Sequence, residues 1–139
     1  MAAKILRFQR EIFSLSEKFQ NVKILPEACD DFIDIIASSG RSDEYIRKLR
    51  MRVRYLSEKL ERCVDHREWF ERLKNHEAFY SMRMKGSLNV RIIFVFAWDE
   101  REHYAVLLNA FLEQGKDKYE DFIPICKHRI AQYEIDVRR

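Results

Sequence analysis

Apolar residues recur along the chain with two different spacings, and the change between them separates predicted helices from predicted strands. Across residues 26–38 and 42–63 they recur every three or four positions, which is typical of amphipathic helices. Pro26 suits the first turn of the earlier helix, and Gly40 closes it. The same spacing returns over residues 123–137, which are predicted to form a terminal helix.

Three consecutive segments have the spacing of strands. Residues 90–98 (VRIIFVFAW) and 104–111 (YAVLLNAF) are apolar on both faces, so we expect central strands covered on both sides. A shorter strand is expected at 78–85, and the tight turns between these segments force antiparallel pairing. Residues 21–25 add a short strand candidate. The chain is therefore expected to be α+β, with a small antiparallel sheet packed against an N-terminal helical hairpin and a C-terminal helix.

Two stretches have weaker patterns. Residues 64–77 look like an irregular connection. A chain of 139 residues has the length of one domain, which we assign to residues 21–139. Residues 1–20 are treated as an N-terminal extension whose apolar positions fit an amphipathic helix: Ile5, Phe8, Ile12, Leu15 and Phe19.

Composition excludes several classes of protein. Hydrophobic residues are 47% and charged residues 35%, with 3 Gly and 2 Pro, so a disordered or collagen-like chain is excluded. The three cysteines lack the spacing of a zinc site or a disulfide framework, and each is expected in the core of a protein in a reducing cytosol. Charges interrupt the apolar start of the chain, so we predict no signal peptide, no membrane span and a cytoplasmic protein.

Basic residues are concentrated on the predicted helix over 42–63. A net charge of +3 permits a nucleic-acid partner without requiring one. A solvated face is the ordinary explanation for such a patch, and contact with RNA is the alternative, with Arg47, Arg50 and Arg54 as candidate contacts. The cations outside the apolar stripe are Arg47, Lys48, Arg50, Arg52, Arg54, Lys59 and Arg62.

Four segments, in this order, resemble the RelE/ParE superfamily of toxins from bacterial type II toxin–antitoxin systems, in particular its phage-associated HigB-like branch. NVKILPEACDDF resembles the opening strand and helix of the family, and WFERLKNHEAFYSMRM its leucine-lysine segment and the strand that follows. NVRIIFVFAWDE resembles the tyrosine-arginine-isoleucine strand and turn. LLNAFLEQGKDKYEDFIPIC resembles the last strand, its phenylalanine, the lysine-rich turn and the helix. The resemblance covers about residues 21–134.

The resemblance implies a RelE-like fold and a ribosome-dependent mRNA endonuclease that needs no metal or other cofactor. Family members with this activity enter the ribosomal A site, where the ribose 2′-hydroxyl attacks the adjacent phosphate. Such a reaction needs a group that removes the 2′ proton, cations that stabilise the phosphorane, and an acid for the leaving oxygen. The implied partners are the ribosome, mRNA and a cognate antitoxin, often of helix-turn-helix type. We expect the antitoxin on an exposed apolar surface near Phe8, Ile12 and Phe19.

The resemblance also implies roles for individual residues. It places Arg91 at the strand arginine that contacts phosphate and the transition state. It places Arg83 at the arginine of the preceding strand, with Lys85 beside it as an RNA contact. In the segment after the last strand, where the family keeps lysines and a possible acid or base, the catalytic candidates are Lys116, Lys118 and Tyr119.

Two residues depart from the family pattern. Glu113 and Gln114 stand where the family commonly has two adjacent basic residues, so the general acid and base are left unassigned. Structural explanations also stay open, because Arg91 could pair with an acidic neighbour and Tyr119 could be a core lid. Two other functions remain: a ParE-like inhibitor of DNA gyrase that acts by protein contact, and a catalytically weakened antitoxin-binding relative.

Overall fold

The structure, a computed structural model, describes residues 2–76, 78–115 and 118–138. Over these ranges, helices pack on both faces of a single sheet. The helices are α1 (Ala2–Lys18), α2 (Pro26–Ile36), α3 (Ser42–Lys59) and α4 (Tyr119–Gln132), with a 3₁₀ helix at Leu60–Asp65. The strands are β1 (Val22–Ile24), β2 (Phe70–Arg72), β3 (Tyr80–Met84), β4 (Val90–Asp99) and β5 (Glu102–Leu112).

The strands lie in the order β1-β5-β4-β3-β2. Neighbours from β2 to β5 are antiparallel, which confirms the predicted α+β class and antiparallel sheet. β1 runs parallel to β5, with Val22 beside Ala105. The expectation of an irregular connection over 64–77 is wrong at β2, because Phe70 is buried and pairs with Met82 at the edge of the sheet.

The central strands are covered on both sides, as their sequences predict. Alternate residues point to opposite faces of a strand, so β4 contributes to two separate apolar layers. Ile92 and Phe94 pack in one layer with Leu49 of α3. Ile93 packs in the other with Ile123 of α4. α4 therefore covers one face of the sheet, and α1 and α3 cover the other.

α1 is part of the main core. Phe8 and Ile12 are no more than 1% exposed and pack with residues of α3 and the sheet. The expected exposed surface near Phe8, Ile12 and Phe19 is therefore wrong, since Phe19 is also partly buried against this core. The spacing of the helix was predicted correctly, but the face that it buries depends on packing partners far along the chain.

A polar cluster ties three elements together beneath α4. Oδ2 of Asp31 in α2 accepts hydrogen bonds from Nδ2 of Asn109 in β5 (2.9 Å) and from Nη1 of Arg129 in α4 (2.7 Å). Arg129 also donates to the carbonyl oxygen of Leu108 (2.7 Å). Because Arg129 is 15% exposed and Asp31 24%, these bonds are shielded from water and fix α4 against the sheet.

Candidate functional site

Two arginines lie side by side on the face of the sheet that α4 covers. Arg83 in β3 and Arg91 in β4 are direct partners in the strand register, so their side chains leave the same face. On the other side of β4, Arg91 is also the register partner of Phe111 of β5, and Phe111 packs against α4. The two positive charges are therefore held together at the end of the sheet nearest the start of α4.

Each arginine is paired with a carboxylate. Nε of Arg91 lies 2.7 Å from Oε2 of Glu113, and the Arg91 side chain is 8% exposed against 44% for Glu113. Arg83 forms an ion pair with Glu71 of β2. Burial acts to lower the pKa of Arg83, but the hydrogen bond and charge of Glu71 outweigh it, so the pKa is raised. The structure therefore contains the pairing with an acidic neighbour that the sequence analysis gave as the structural explanation for Arg91.

Tyr119, the first residue of α4, brings a phenol to the two arginines. Its hydroxyl lies 2.8 Å from Oγ of Ser81, and its ring packs edge-on against Phe111. Burial raises the pKa of Tyr119 above its usual value, and the Ser81 hydrogen bond only partly opposes this. At neutral pH the phenol is therefore protonated, so it can donate a proton but cannot accept one.

These groups form one polar cluster under the first turn of α4, which we call the arginine cluster. Its guanidinium groups can hold phosphate oxygens through paired hydrogen bonds, and its phenol can serve as a general acid. A phosphate must first displace the carboxylate that each arginine already binds. The members of the arginine cluster are Glu71, Ser81, Arg83, Arg91, Glu113 and Tyr119.

Two of the three lysine candidates directly adjoin elements that form the arginine cluster. Lys85 is exposed directly after β3, and Lys118 is exposed directly before α4. The carboxylate of Asp121 accepts a hydrogen bond from the backbone N–H of Lys118 (3.3 Å), which helps to begin α4 there. Lys116 lies outside the described residues.

The basic residues of α3 are not brought to the arginine cluster. Arg47, Arg50 and Arg54 are exposed on one side of a helix that covers the opposite face of the sheet. Nε of Arg54 lies 3.4 Å from Oε1 of Glu58 in an ion pair at the surface. The arginine cluster and this second basic surface therefore face different directions.

The prediction of a basic face on α3 is wrong at Arg52, because this side chain is buried and does not lie on the surface of the helix. It is 7% exposed, and its Nε donates to the carbonyl oxygen of Arg83 at 2.6 Å. Its guanidinium group lies 4.4 Å from the centre of the Trp69 ring. Burial lowers the pKa of Arg52 to about 10, which still leaves it charged at neutral pH. This residue braces β3 from the face opposite the arginine cluster.

The sequence reasoning missed Glu71 and Ser81. In β3, the polar residues Ser81 and Arg83 alternate with the buried apolar residues Tyr80, Met82 and Met84. This period of two could have placed Ser81 beside Arg83 on one face. Glu71 gave no such signal, since its strand is only three residues long.

Comparison with known proteins leaves the family open. No protein-family model matches the chain, and neither a curated protein nor a solved structure matches it. The order of elements and the mostly antiparallel sheet are consistent with a RelE-like fold.

Over the described ranges, no group of three or more His, Cys, Asp or Glu side chains is arranged so that it could hold a metal ion. In the same part of the chain, no helix has the length and apolarity to cross a membrane.

Proposed function

We propose that this protein is the toxin of a type II toxin–antitoxin system, acting in the cytoplasm as a ribosome-dependent mRNA endonuclease that needs no metal. The observation that carries the proposal is the adjacency of Arg83 and Arg91 beside the protonated phenol of Tyr119. Two fixed cations and one acid on a sheet end supply two of the three functions that transesterification of a phosphodiester requires, and the third, removal of the 2′ proton, is left to water.

In the proposed reaction, the ribose 2′-hydroxyl gives its proton to water, its oxygen bonds to the adjacent phosphorus, and the bond from phosphorus to the 5′-oxygen breaks. Arg91 and Arg83 stabilise the charge that builds on the non-bridging oxygens. Tyr119 gives its proton to the leaving 5′-oxygen. Glu113 is the more exposed of the two paired carboxylates, so incoming phosphate displaces it from Arg91 first.

The exposed lysines and the α3 arginines have separate roles in this proposal. Lys85 and Lys118 flank the arginine cluster, where point charges position the mRNA backbone. Arg47, Arg50 and Arg54 face away from the arginine cluster, so the same mRNA strand does not reach both surfaces. They are proposed to contact ribosomal RNA, whose phosphates attract exposed arginines without reading sequence.

A cognate antitoxin, of helix-turn-helix type in many systems of this kind, is the proposed protein partner. An acidic segment of the antitoxin that covered the exposed cations near the arginine cluster would block access of phosphate. Co-purification with the product of a neighbouring gene tests this partner. A protein that is harmless and unaccompanied when overproduced would count against the toxin proposal as a whole.

The pairing of both arginines favours a second candidate function. Ion-paired arginines are less available for phosphate, and a ParE-like gyrase inhibitor that acts by protein contact needs no free cations. Purified components separate the two functions. An endonuclease leaves cut mRNA on ribosomes, detected by primer extension, and does not affect DNA supercoiling. A gyrase inhibitor blocks supercoiling and leaves the mRNA intact.

A further inference from the structure

An apolar groove runs between α1 and the start of α2. It has a volume of about 870 Å³, and its walls include Ile24, Pro26 and Cys29. Leu6 and Phe13 of α1 also line the groove, although they are 56% and 66% exposed. A contiguous exposed apolar surface that is rimmed by polar side chains marks an interaction site.

The charges beside Phe13 indicate what binds there. Arg10 and Glu17 lie on the same side of α1 as Phe13, one turn before it and one turn after it. Both are exposed, and within the described ranges neither forms an ion pair. With Asp30 the groove holds one cation and two carboxylates, so it does not attract an acidic partner segment.

We propose that this face of α1 is the interface of a two-fold symmetric homodimer. Arg10 and Glu17 are equally far from the midpoint between Phe13 and Ser14. An antiparallel pair of α1 helices centred on that midpoint therefore sets Arg10 of each copy against Glu17 of the other. In the same register Phe13 of each copy lies opposite Ser14 of the other, so the two Phe13 side chains meet near the two-fold axis at the edge of the two apolar grooves.

The size of the surface sets the expected strength of the dimer. A helix of 17 residues is about 25 Å long, so the interface lies at the small end of stable protein contacts. We expect a dissociation constant on the order of micromolar. α1 covers the face of the sheet opposite the arginine cluster, so the dimer leaves that cluster open and does not depend on the proposed function.

Sedimentation equilibrium of the full chain between about 1 and 100 μM tests the proposal, with a rise to twice the monomer mass expected. Phe13→Asp should weaken the dimer by about 100-fold or more, because it places a carboxylate in an apolar groove. Ile125→Asp, a matched change of an exposed apolar residue on α4, should leave the dissociation constant unchanged. A parent protein that stays monomeric, or a Phe13→Asp variant that dimerises normally, overturns the proposal.

Charge exchange tests the antiparallel register. Arg10→Glu alone and Glu17→Arg alone each set like charges together, so each should weaken the dimer by about tenfold. An equimolar mixture of the two variants should regain the parent affinity. At positions 10 and 17 one variant has only carboxylates and the other has only guanidinium groups, so a mixed dimer pairs opposite charges at both contacts. Circular dichroism checks that the helices are retained. A mixture that associates no better than the separate variants rules out the register.

Discussion

Arg83 and Arg91 are direct partners across β3 and β4, and each is paired with a carboxylate: Glu71 of β2 for Arg83, and Glu113, which directly follows β5, for Arg91. Like charges in directly opposed positions destabilise a sheet unless something compensates them. Glu71 and Glu113 supply that compensation, and the phenol of Tyr119 closes the cluster from α4. The arrangement therefore keeps two cations together in a place where phosphate can replace a carboxylate.

Releasing Arg91 from its partner should favour cleavage. In Glu113→Gln the carboxylate is lost, so Arg91 is free to bind phosphate, and Glu113→Lys adds a further cation. We expect both variants to cut ribosome-bound mRNA at the parent rate or faster, measured by primer extension. Glu113→Gln, which keeps a polar side chain, should cost about 1 kcal/mol in stability, and Glu113→Lys should cost more, because it sets a second cation beside the largely buried Arg91. Glu120→Gln, an exposed carboxylate in the first turn of α4, is the control. Loss of cleavage in Glu113→Gln would instead identify Glu113 as the general base.

Removing one hydroxyl tests the proposed acid. Tyr119→Phe keeps the ring against Phe111 but removes the hydrogen bond to Ser81, so folding should survive with a loss of about 1 kcal/mol. Cleavage should fall by about 10²–10⁴-fold. Tyr133→Phe is a matched control, because it removes a hydroxyl that bonds Glu27 at the surface. Equal cleavage by the two variants would show that Tyr119 is only part of the core.

The polar cluster under α4 should be needed for stability. Asp31→Ala leaves Arg129 and Asn109 without their shared acceptor, so the free energy of unfolding should fall by about 2–3 kcal/mol in urea denaturation. Asp34→Asn, an exposed acidic residue one turn along α2, should change it by less than about 0.5 kcal/mol. Equal effects of the two changes would mean that the cluster does not hold α4.

Stability should fall at alkaline pH because of buried thiols. Burial raises the pKa of Cys63 and of Cys126 from 9.0 to about 12. A raised pKa in the folded state contributes stability that is complete below pH 9 and is lost as pH rises toward 12, since only the unfolded thiols ionise in that window. Urea denaturation at about pH 7 and pH 10.5 should show this decline.

The cysteine variant that checks this assignment is Cys126→Ala. Its stability at neutral pH should be lower than that of the parent, because a buried sulfur is removed. Its further decline on going to about pH 10.5 should be smaller, because one ionisable group has gone. Cys63 is unchanged in this variant, and burial also raises the pKa of Tyr80 and of Tyr119, so part of the decline should remain. A decline equal to that of the parent would contradict the role given to Cys126.

Local sequence patterns predicted the helices and strands, but which side of each element is buried depends on packing between segments far apart in the chain. The two-sided apolarity of β4 and β5 indicated a sheet covered on both faces, and the structure has one. The same reasoning placed Arg52 on a basic surface, whereas the structure buries it against Trp69. Spacing along a helix shows which residues share a side, but it does not show which side meets another element.

The candidate site was predictable in the same partial way. The resemblance pointed to Arg83, Arg91 and Tyr119, which the structure brings to one end of the sheet. The pairing of Arg83 with Glu71 could not be predicted, because the short strand that carries Glu71 has no readable pattern. That pairing depends on the sheet order, which is a property of the whole chain.

The central claim, that Arg91 stabilises the transition state of mRNA cleavage, is tested most directly by primer extension on ribosome-bound mRNA. Parent protein and Arg91→Ala are compared in translation mixtures of purified components, with Lys118→Ala as a test of a charge that only positions RNA. The parent should cut the mRNA, Arg91→Ala should be slower by about 10²–10³-fold, and Lys118→Ala should lose much less. Thermal unfolding must first show that Arg91→Ala is folded. If the parent does not cut ribosome-bound mRNA, or if folded Arg91→Ala cuts it at the parent rate, the claim is contradicted.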